Sequence, residues 1–243
     1  MYAQRVDVHA ECRSAVRPGK HNRPVGNLAY IMRFTNVRHR RSLCSALASE
    51  LTHYRLAAGV PRPPLRIWPD ALTAAEEVAL VEQADTWFSG RPYEPGHFDG
   101  VATAYREMQR PARRFSRTNR AVIERLAQAT LGDKSLMPIH LLDLDAAGEI
   151  GRHVDHVEYS GAYIVGLSLL SDTVMLLHHE HSESTIEMLL PRRSAYVLTA
   201  ETRYEWAHSI PARPTFDGRT VEKTRRLSIL LRDHAAPTGE GPD

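Results

Sequence analysis

His153 and Asp155 flank a single valine in the second half of this 243-residue chain. On an extended backbone, residues two apart point to the same side, so both side chains can reach one ion. His208 follows in the segment Arg203-Tyr-Glu-Trp-Ala-His-Ser209. Two imidazoles and one carboxylate on one face of a metal leave the opposite positions open, the arrangement that non-haem Fe(II) oxygenases use. A histidine–x–aspartate triplet alone says little in a chain with 13 histidines, where a surface turn would explain it as well.

A second set of residues suits an anion. The run Arg226-Leu-Ser-Ile-Leu-Leu-Arg232 spaces two guanidinium groups evenly. In a strand both face one side, with Ser228 and Leu230 between them. Arginine stays charged and grips a carboxylate through two parallel hydrogen bonds, which a dicarboxylate such as 2-oxoglutarate requires. Tyr196, ahead of His208, could donate its hydroxyl to the same carboxylate. The order of triplet, histidine and strand-borne arginines within one region favours a site for Fe(II) and 2-oxoglutarate. His178, His179 and His181 could bind zinc, but no cysteine or spaced partner completes a closed site, and a solvated hairpin loop explains them better. His156 points away from the triplet if the backbone stays extended.

These residues need short strands to carry them. Ile139–Leu144, Ala162–Leu170, Thr173–Leu177, Ile186–Leu190, Ala195–Thr199 and Arg226–Leu231 are apolar, β-prone runs. Turn-forming segments such as Ala146-Ala147-Gly148, His179–Ser184 and Pro191–Arg193 separate them. Two helices precede the strands. The first opens on a capping box at Thr73 and Glu76 and stops at Ser89-Gly90; the second spans Arg117–Leu131, with Gly132 as its stop. Helices followed by many short strands predict an α+β domain with a double-stranded β-helix, or jelly-roll, core. The expected organisation is a basic segment over 1–50, a linker over 51–70, the domain over 71–233 and a disordered tail over 234–243.

Composition excludes some classes. Hydrophobic residues make up 42% and charged residues 25%, as in ordinary globular proteins, and a net charge of +2 gives no global case for nucleic acid. Two cysteines, Cys12 and Cys44, do not make a disulfide framework, so the chain reads as intracellular. No apolar run approaches the roughly 20 residues that span a bilayer. Residues 1–49 carry Arg5, Arg13, Arg17, Lys20, Arg23, Arg33, Arg38, Arg40 and Arg41 against Asp7 and Glu11. This is the composition of a mitochondrial transit peptide or of a basic tail.

The stretch from Arg91 to Arg232 resembles the AlkB family of 2-oxoglutarate oxygenases, and within it the mitochondrial subgroup. The likeness rests on Leu141-Leu-Asp-Leu, His153-Val-Asp155, the run Gly161 through Val174, Tyr196-Val-Leu, Arg203-Tyr204 before His208, and Arg225-Arg226-Leu-Ser. It implies a double-stranded β-helix holding Fe(II) through His153, Asp155 and His208, with Tyr196, Arg226 and Arg232 on 2-oxoglutarate. It further implies O2 as co-substrate, release of succinate and CO2, a matrix location, and links to programmed necrosis after alkylation and to fatty acid metabolism. There are departures. The family's Asn-x-Tyr ahead of the metal strand corresponds to Leu142 and Leu144, and the tail motif has Ser228 for Asn and Leu230 for Thr. Between Phe98 and Pro138 only Tyr105, Phe115 and a basic cluster (Arg110, Arg113, Arg114, Arg117, Arg120) stand where a base-flipping lid belongs. A monomer acting on a protein or mitochondrial RNA is therefore expected rather than one acting on duplex DNA. The alternative is a non-catalytic, 2-oxoglutarate-binding regulator; a cupin-like barrel with another metal has no need of the two arginines.

Overall fold

Thr73 starts the first helix, α1 (Ala74–Phe88): its hydroxyl accepts from the amide of Glu76 at 3.2 Å, and the Glu76 carboxylate accepts from the amide of Thr73 at 2.8 Å. Beyond Ser89 the chain turns through Gly90 at φ +73°, a conformation that glycine adopts without strain. The second helix, α2 (Arg117–Leu131), is capped by Ser116 and ends at Gly132. The computed structural model describes residues 53–56, 65–97 and 100–234. The 1–50 segment and all of the 234–243 tail except His234 lie outside the described residues.

Two antiparallel faces share one long strand. The strands are β1 (Tyr54–Leu56), β2 (Arg66–Trp68), β3 (Glu94–Gly96), β4 (Ala102–Arg110), β5 (Ile139–His153), β6 (Tyr163–Leu169), β7 (Thr173–His179), β8 (Thr185–Leu190), β9 (Ser194–Thr199), β10 (Trp206–Ile210), the small pair β11 (Thr215–Phe216) and β12 (Arg219–Thr220), and β13 (Arg226–Arg232). One face runs β2-β9-β6-β13-β5-β4-β3, and the other runs from the end of β5 through β10, β7 and β8 to β1. A short helix, α3 (Glu201–Tyr204), joins β9 to β10. This is the jelly roll that the strand pattern predicts.

Alternation along the strands sorts side chains into two cores. Leu227, Ile229 and Leu231 of β13 pack outward with Val165 and Leu167 of β6 against Leu80, Phe88, Ile123 and Leu126 of the helices. Their neighbours Arg226, Ser228, Leu230 and Arg232 face inward, where Leu144, Ile164, Met175, Leu177 and Tyr196 form the second core. At about 25 cal/mol per Å2, burial of the helix-facing stripe is the main force holding α1 and α2 on the sheet. No helix among the described residues is long and apolar enough to cross a membrane.

Three local expectations need correction. The 51–70 linker contains β1 and β2, which pair with β8 and β9; their short length and Pro61, Pro63 and Pro64 between them concealed them. Ala146-Ala147-Gly148 is not a turn but the middle of the 15-residue β5. There β4 shifts register between Thr103 and Tyr105, and a Cβ on Gly148 would lie 2.6 Å from the carbonyl of Ala104. A bulge of this kind bends a strand from one face to the other. The stretch between Phe98 and Pro138, where only a reduced lid is expected, holds β4, whose burial recurs every third residue at Ala102, Tyr105 and Met108 and so hides the strand period.

Candidate active site

The paired register of β5 and β10 sets His153 opposite His208, with ring centroids 4.3 Å apart. Asp155 follows β5 in the loop toward β6, its Oδ2 3.7 Å from His208 Nε2. One ligand atom from each of the three lies within 4.8 Å of the others. His153 Nδ1 is 3.0 Å from the carbonyl of Gly151. A carbonyl only accepts, so Nδ1 carries the proton and Nε2 keeps its lone pair for an ion. Burial, then the neighbouring His153, push the His208 imidazole down to about 4, so it is neutral at physiological pH. Burial alone would raise the Asp155 carboxyl, but His208, Arg232 and His153 together hold it below the usual range. These are the protonation states a divalent cation requires.

A cavity of about 230 Å3 opens above the triad, and its wall includes Tyr196, Arg226, Ser228 and Arg232. Arg226 is 1% exposed, and its Nε donates to Ser168 Oγ at 3.2 Å. Arg226 Nη2, Ser228 Oγ and Arg232 Nε are buried and make no hydrogen bond within the protein. Burial raises the Tyr196 hydroxyl above its ordinary value, which keeps it a donor. An anion with two carboxylates fits this donor set, and a divalent ion fits the triad. Leu142 lines the cavity and Leu144 is buried, so neither offers the polar contact of the missing Asn-x-Tyr.

Gly166, opposite Tyr196 in the β6–β9 pair, makes room for that ring: an added Cβ would lie 2.2 Å from Tyr196 Cζ. Gly166→Ala should therefore displace Tyr196. It should lower stability by about 1–3 kcal/mol and weaken 2-oxoglutarate binding, both measurable by thermal melting and calorimetric titration. Unchanged binding would remove Tyr196 from the co-substrate site.

Two contributors escaped the sequence reading. Arg232 Nη2 donates to Asp155 Oδ1 at 3.4 Å, and its Nη1 lies 3.3 Å from His140 Nδ1. Arginine can only donate, so His140 accepts at Nδ1 and its Nε2–H donates to Glu107 Oε2 at 2.7 Å. That hydrogen bond holds the Glu107 carboxyl below its usual range. Glu107 and His140 thus brace Arg232. His140 shares the inward side of β5 with Leu142 and Leu144, a signal available in sequence, whereas Glu107 required β4. His140→Leu should raise the 2-oxoglutarate Kd roughly five-fold, the loss of about 1 kcal/mol, with metal affinity unchanged in a titration with Mn(II).

The other candidates lie elsewhere. His156 is exposed at the rim of the cavity. His178 sits between Thr185 and Ser209, so it belongs to the barrel wall rather than to a solvated loop. His179 meets Trp206 edge-on and, with Glu201 and Glu205, forms a second grouping of possible ligands. Its Nδ1 accepts from the amide of His181, so Nε2 carries the proton and points toward Glu205 from 3.9 Å, beyond hydrogen-bond distance. Phe115 is buried against Trp87, and Tyr105 donates to Glu94 from the cavity wall. Of the basic cluster, Arg110 stacks over Trp87 and Arg120 pairs with Glu124, both on the helix side.

Comparison with known proteins agrees with this geometry. Residues 27–232 match the model of the 2OG-Fe(II) oxygenase superfamily. The chain is 35% identical over 181 residues to alpha-ketoglutarate-dependent dioxygenase alkB homolog 7, mitochondrial, of Mus musculus, covering 72% of this chain and 80% of that one. It is 35% identical over 179 residues to the Bos taurus protein of the same name, covering 72% and 79%. Among solved structures, OsALKBH1 superposes with a TM-score of 0.54 at 14% identity, covering 74% of this chain and 100% of that one. A Pseudomonas putida prolyl-4-hydroxylase gives 0.50 at 10% identity, covering 80% and 100%. At these identities the structures speak to the fold alone.

Proposed function

Because the chain belongs to the 2OG-Fe(II) oxygenase superfamily and, within it, to the AlkB family, we propose that His153, Asp155 and His208 hold the Fe(II) of this dioxygenase, and Tyr196, Arg226 and Arg232 its 2-oxoglutarate. The carrying observation is the row of buried, unpartnered donors on Arg226, Ser228 and Arg232 in the cavity that contains the triad. Each such donor costs about 1–3 kcal/mol, more when charged, until an acceptor arrives.

Fe(II) and 2-oxoglutarate, once bound, would supply the chemistry: oxidative decarboxylation of 2-oxoglutarate by O2 to succinate and CO2, with one oxygen atom passing to succinate and the other to the second substrate. The chain's residues set the conditions. The Gly151 carbonyl fixes the His153 tautomer. Arg232 orients Asp155 while its buried Nε remains available for a carboxylate. Leu142, Ile150, Ile164, Met175 and Ile210 give the cavity an apolar wall that limits water.

For the second substrate we favour a protein side chain or a mitochondrial RNA over duplex DNA. Among the described residues, the aromatic side chains between Tyr105 and Phe115 are engaged in the wall and the helix core, so they do not form a base-stacking lid. The basic composition of residues 1–49 and the names of both mammalian relatives support mitochondrial import; the matrix is the destination proposed. A monomer with roles in alkylation-induced necrosis and fatty acid metabolism completes this reading. The test is mass spectrometry of succinate and of oxidised product with methylated duplex DNA, methylated RNA and mitochondrial protein extract. Efficient repair of duplex DNA by the protein alone would overturn the substrate class.

A further inference from the structure

Asp155 lies beyond the last β5 residue, His153, in a loop whose residues His156 to Tyr159 are exposed. A metal ligand on such a loop needs another anchor. The structure provides one in Arg203, which is 2% exposed. Its Nη1 donates to the carbonyl of Asp155 at 2.8 Å, and its Nη2 donates to Ser160 Oγ at 2.8 Å, to the carbonyl of His156 at 3.4 Å and to that of Ser160 at 3.5 Å. Its Nε donates to the carbonyl of Gly161 at 3.3 Å. The whole guanidinium fork is thus spent on the loop between Asp155 and β6.

Arg203 is itself held in place. It sits on α3, where its amide donates to Ala200 and the buried Thr202 hydroxyl donates to the carbonyl of Thr199 at 2.6 Å. That helix connects the strand of Tyr196 to the strand of His208. We propose that Arg203 is a positioning residue for the metal: it fastens the Asp155 backbone to the segment leading into His208, and so sets the distance between two ligands without touching the ion. The inference rests on Asp155 being a ligand. A lysine cannot replace the fork, because its ammonium is a single compact point rather than a planar array of donors.

The test is anaerobic titration of the full chain with Co(II), followed by visible absorption, for Arg203→Lys, Arg203→Met and Asp155→Ala. Both Arg203 variants should weaken Co(II) binding roughly 10- to 100-fold, the usual cost of losing an outer-shell support. They should also change the Co(II) spectrum at saturation, because the ligand geometry moves. Variants that melt earlier but bind with the parent's affinity and spectrum would overturn the proposal and leave Arg203 purely structural. If neither variant folds, Ser160→Ala removes one contact and should weaken binding roughly three- to ten-fold; unchanged binding there would overturn it. Parent-like binding by Asp155→Ala would sink the ligand reading and the proposal with it. Loss of binding in Asp155→Ala with none in the Arg203 variants would sink the proposal alone.

Discussion

Arg226→Met should bind 2-oxoglutarate at least 100-fold more weakly than the parent while folding as stably, or more so. Both parts follow from one fact: the Arg226 guanidinium is 1% exposed, donates to Ser168 Oγ and leaves Nη2 without an acceptor. A buried charge lacking its counter-charge destabilises the fold, so an apolar side chain of similar volume should be neutral or favourable. In the proposed site the same group would give the co-substrate charge-assisted hydrogen bonds of about 1.5–3 kcal/mol each. Two of them amount to at least two orders of magnitude in Kd. Calorimetric titration and a thermal melt on one preparation measure both effects. A large fall in stability with unchanged affinity would assign Arg226 to the fold instead.

Asp143→Ala should have the reverse profile, losing about 3–5 kcal/mol of stability with little change in co-substrate affinity once folded. Asp143 is fully buried, and two arginines converge on it: Arg106 Nε at 2.8 Å, and Arg225 through Nε and Nη2, each at 2.9 Å. Tyr93 adds its hydroxyl at 3.4 Å, and Arg106 also lies over the rings of Phe88 and Tyr93. Without the carboxylate the two guanidinium groups lose their shared buried counter-charge, leaving Arg225 with Asp85 and Arg106 with the carbonyls of Phe88 and Arg91. For a domain stabilised by about 5–15 kcal/mol this is a large share. Asp143 points to the opposite side of β5 from Leu142, which lines the cavity, so the site should survive. Denaturant unfolding reads the loss; a change under 1 kcal/mol would mean that the two arginines find other partners.

The contrast between these two residues shows what sequence could and could not disclose. Leu-Leu-Asp143-Leu reads as an apolar strand with one intruding acid, and nothing local names Arg106 or Arg225 as its partners. Arg226 and Arg232 were legible because both stand on one strand, where alternation alone puts them on a common side. The triad was legible for a related reason, since His153 and Asp155 are two apart and His208 completes a familiar ligand set. Groups joined only by tertiary contact stayed hidden: Glu107 behind His140, Arg203 behind Asp155, and the ring of Tyr196 in the space that Gly166 leaves. The helices were read to their caps because capping chemistry is local. β4 was missed because a bulge at Ala104, with φ +45°, breaks the two-residue period from which strands are recognised. The strands inside 51–70 were missed because edge strands of three residues carry too little pattern.

In the proposed site one cavity holds Fe(II) on the triad and 2-oxoglutarate on the arginines at the same time. Anaerobic titration of the full chain with Fe(II) and 2-oxoglutarate tests it most directly, through the visible charge-transfer band that appears only when the oxoacid chelates the iron. His153→Ala and Arg226→Ala serve as controls. A band should appear in the parent and be absent from His153→Ala and, at co-substrate concentrations that saturate the parent, from Arg226→Ala. A parent that is folded by circular dichroism yet shows no band, or a band that persists in both variants, would contradict it.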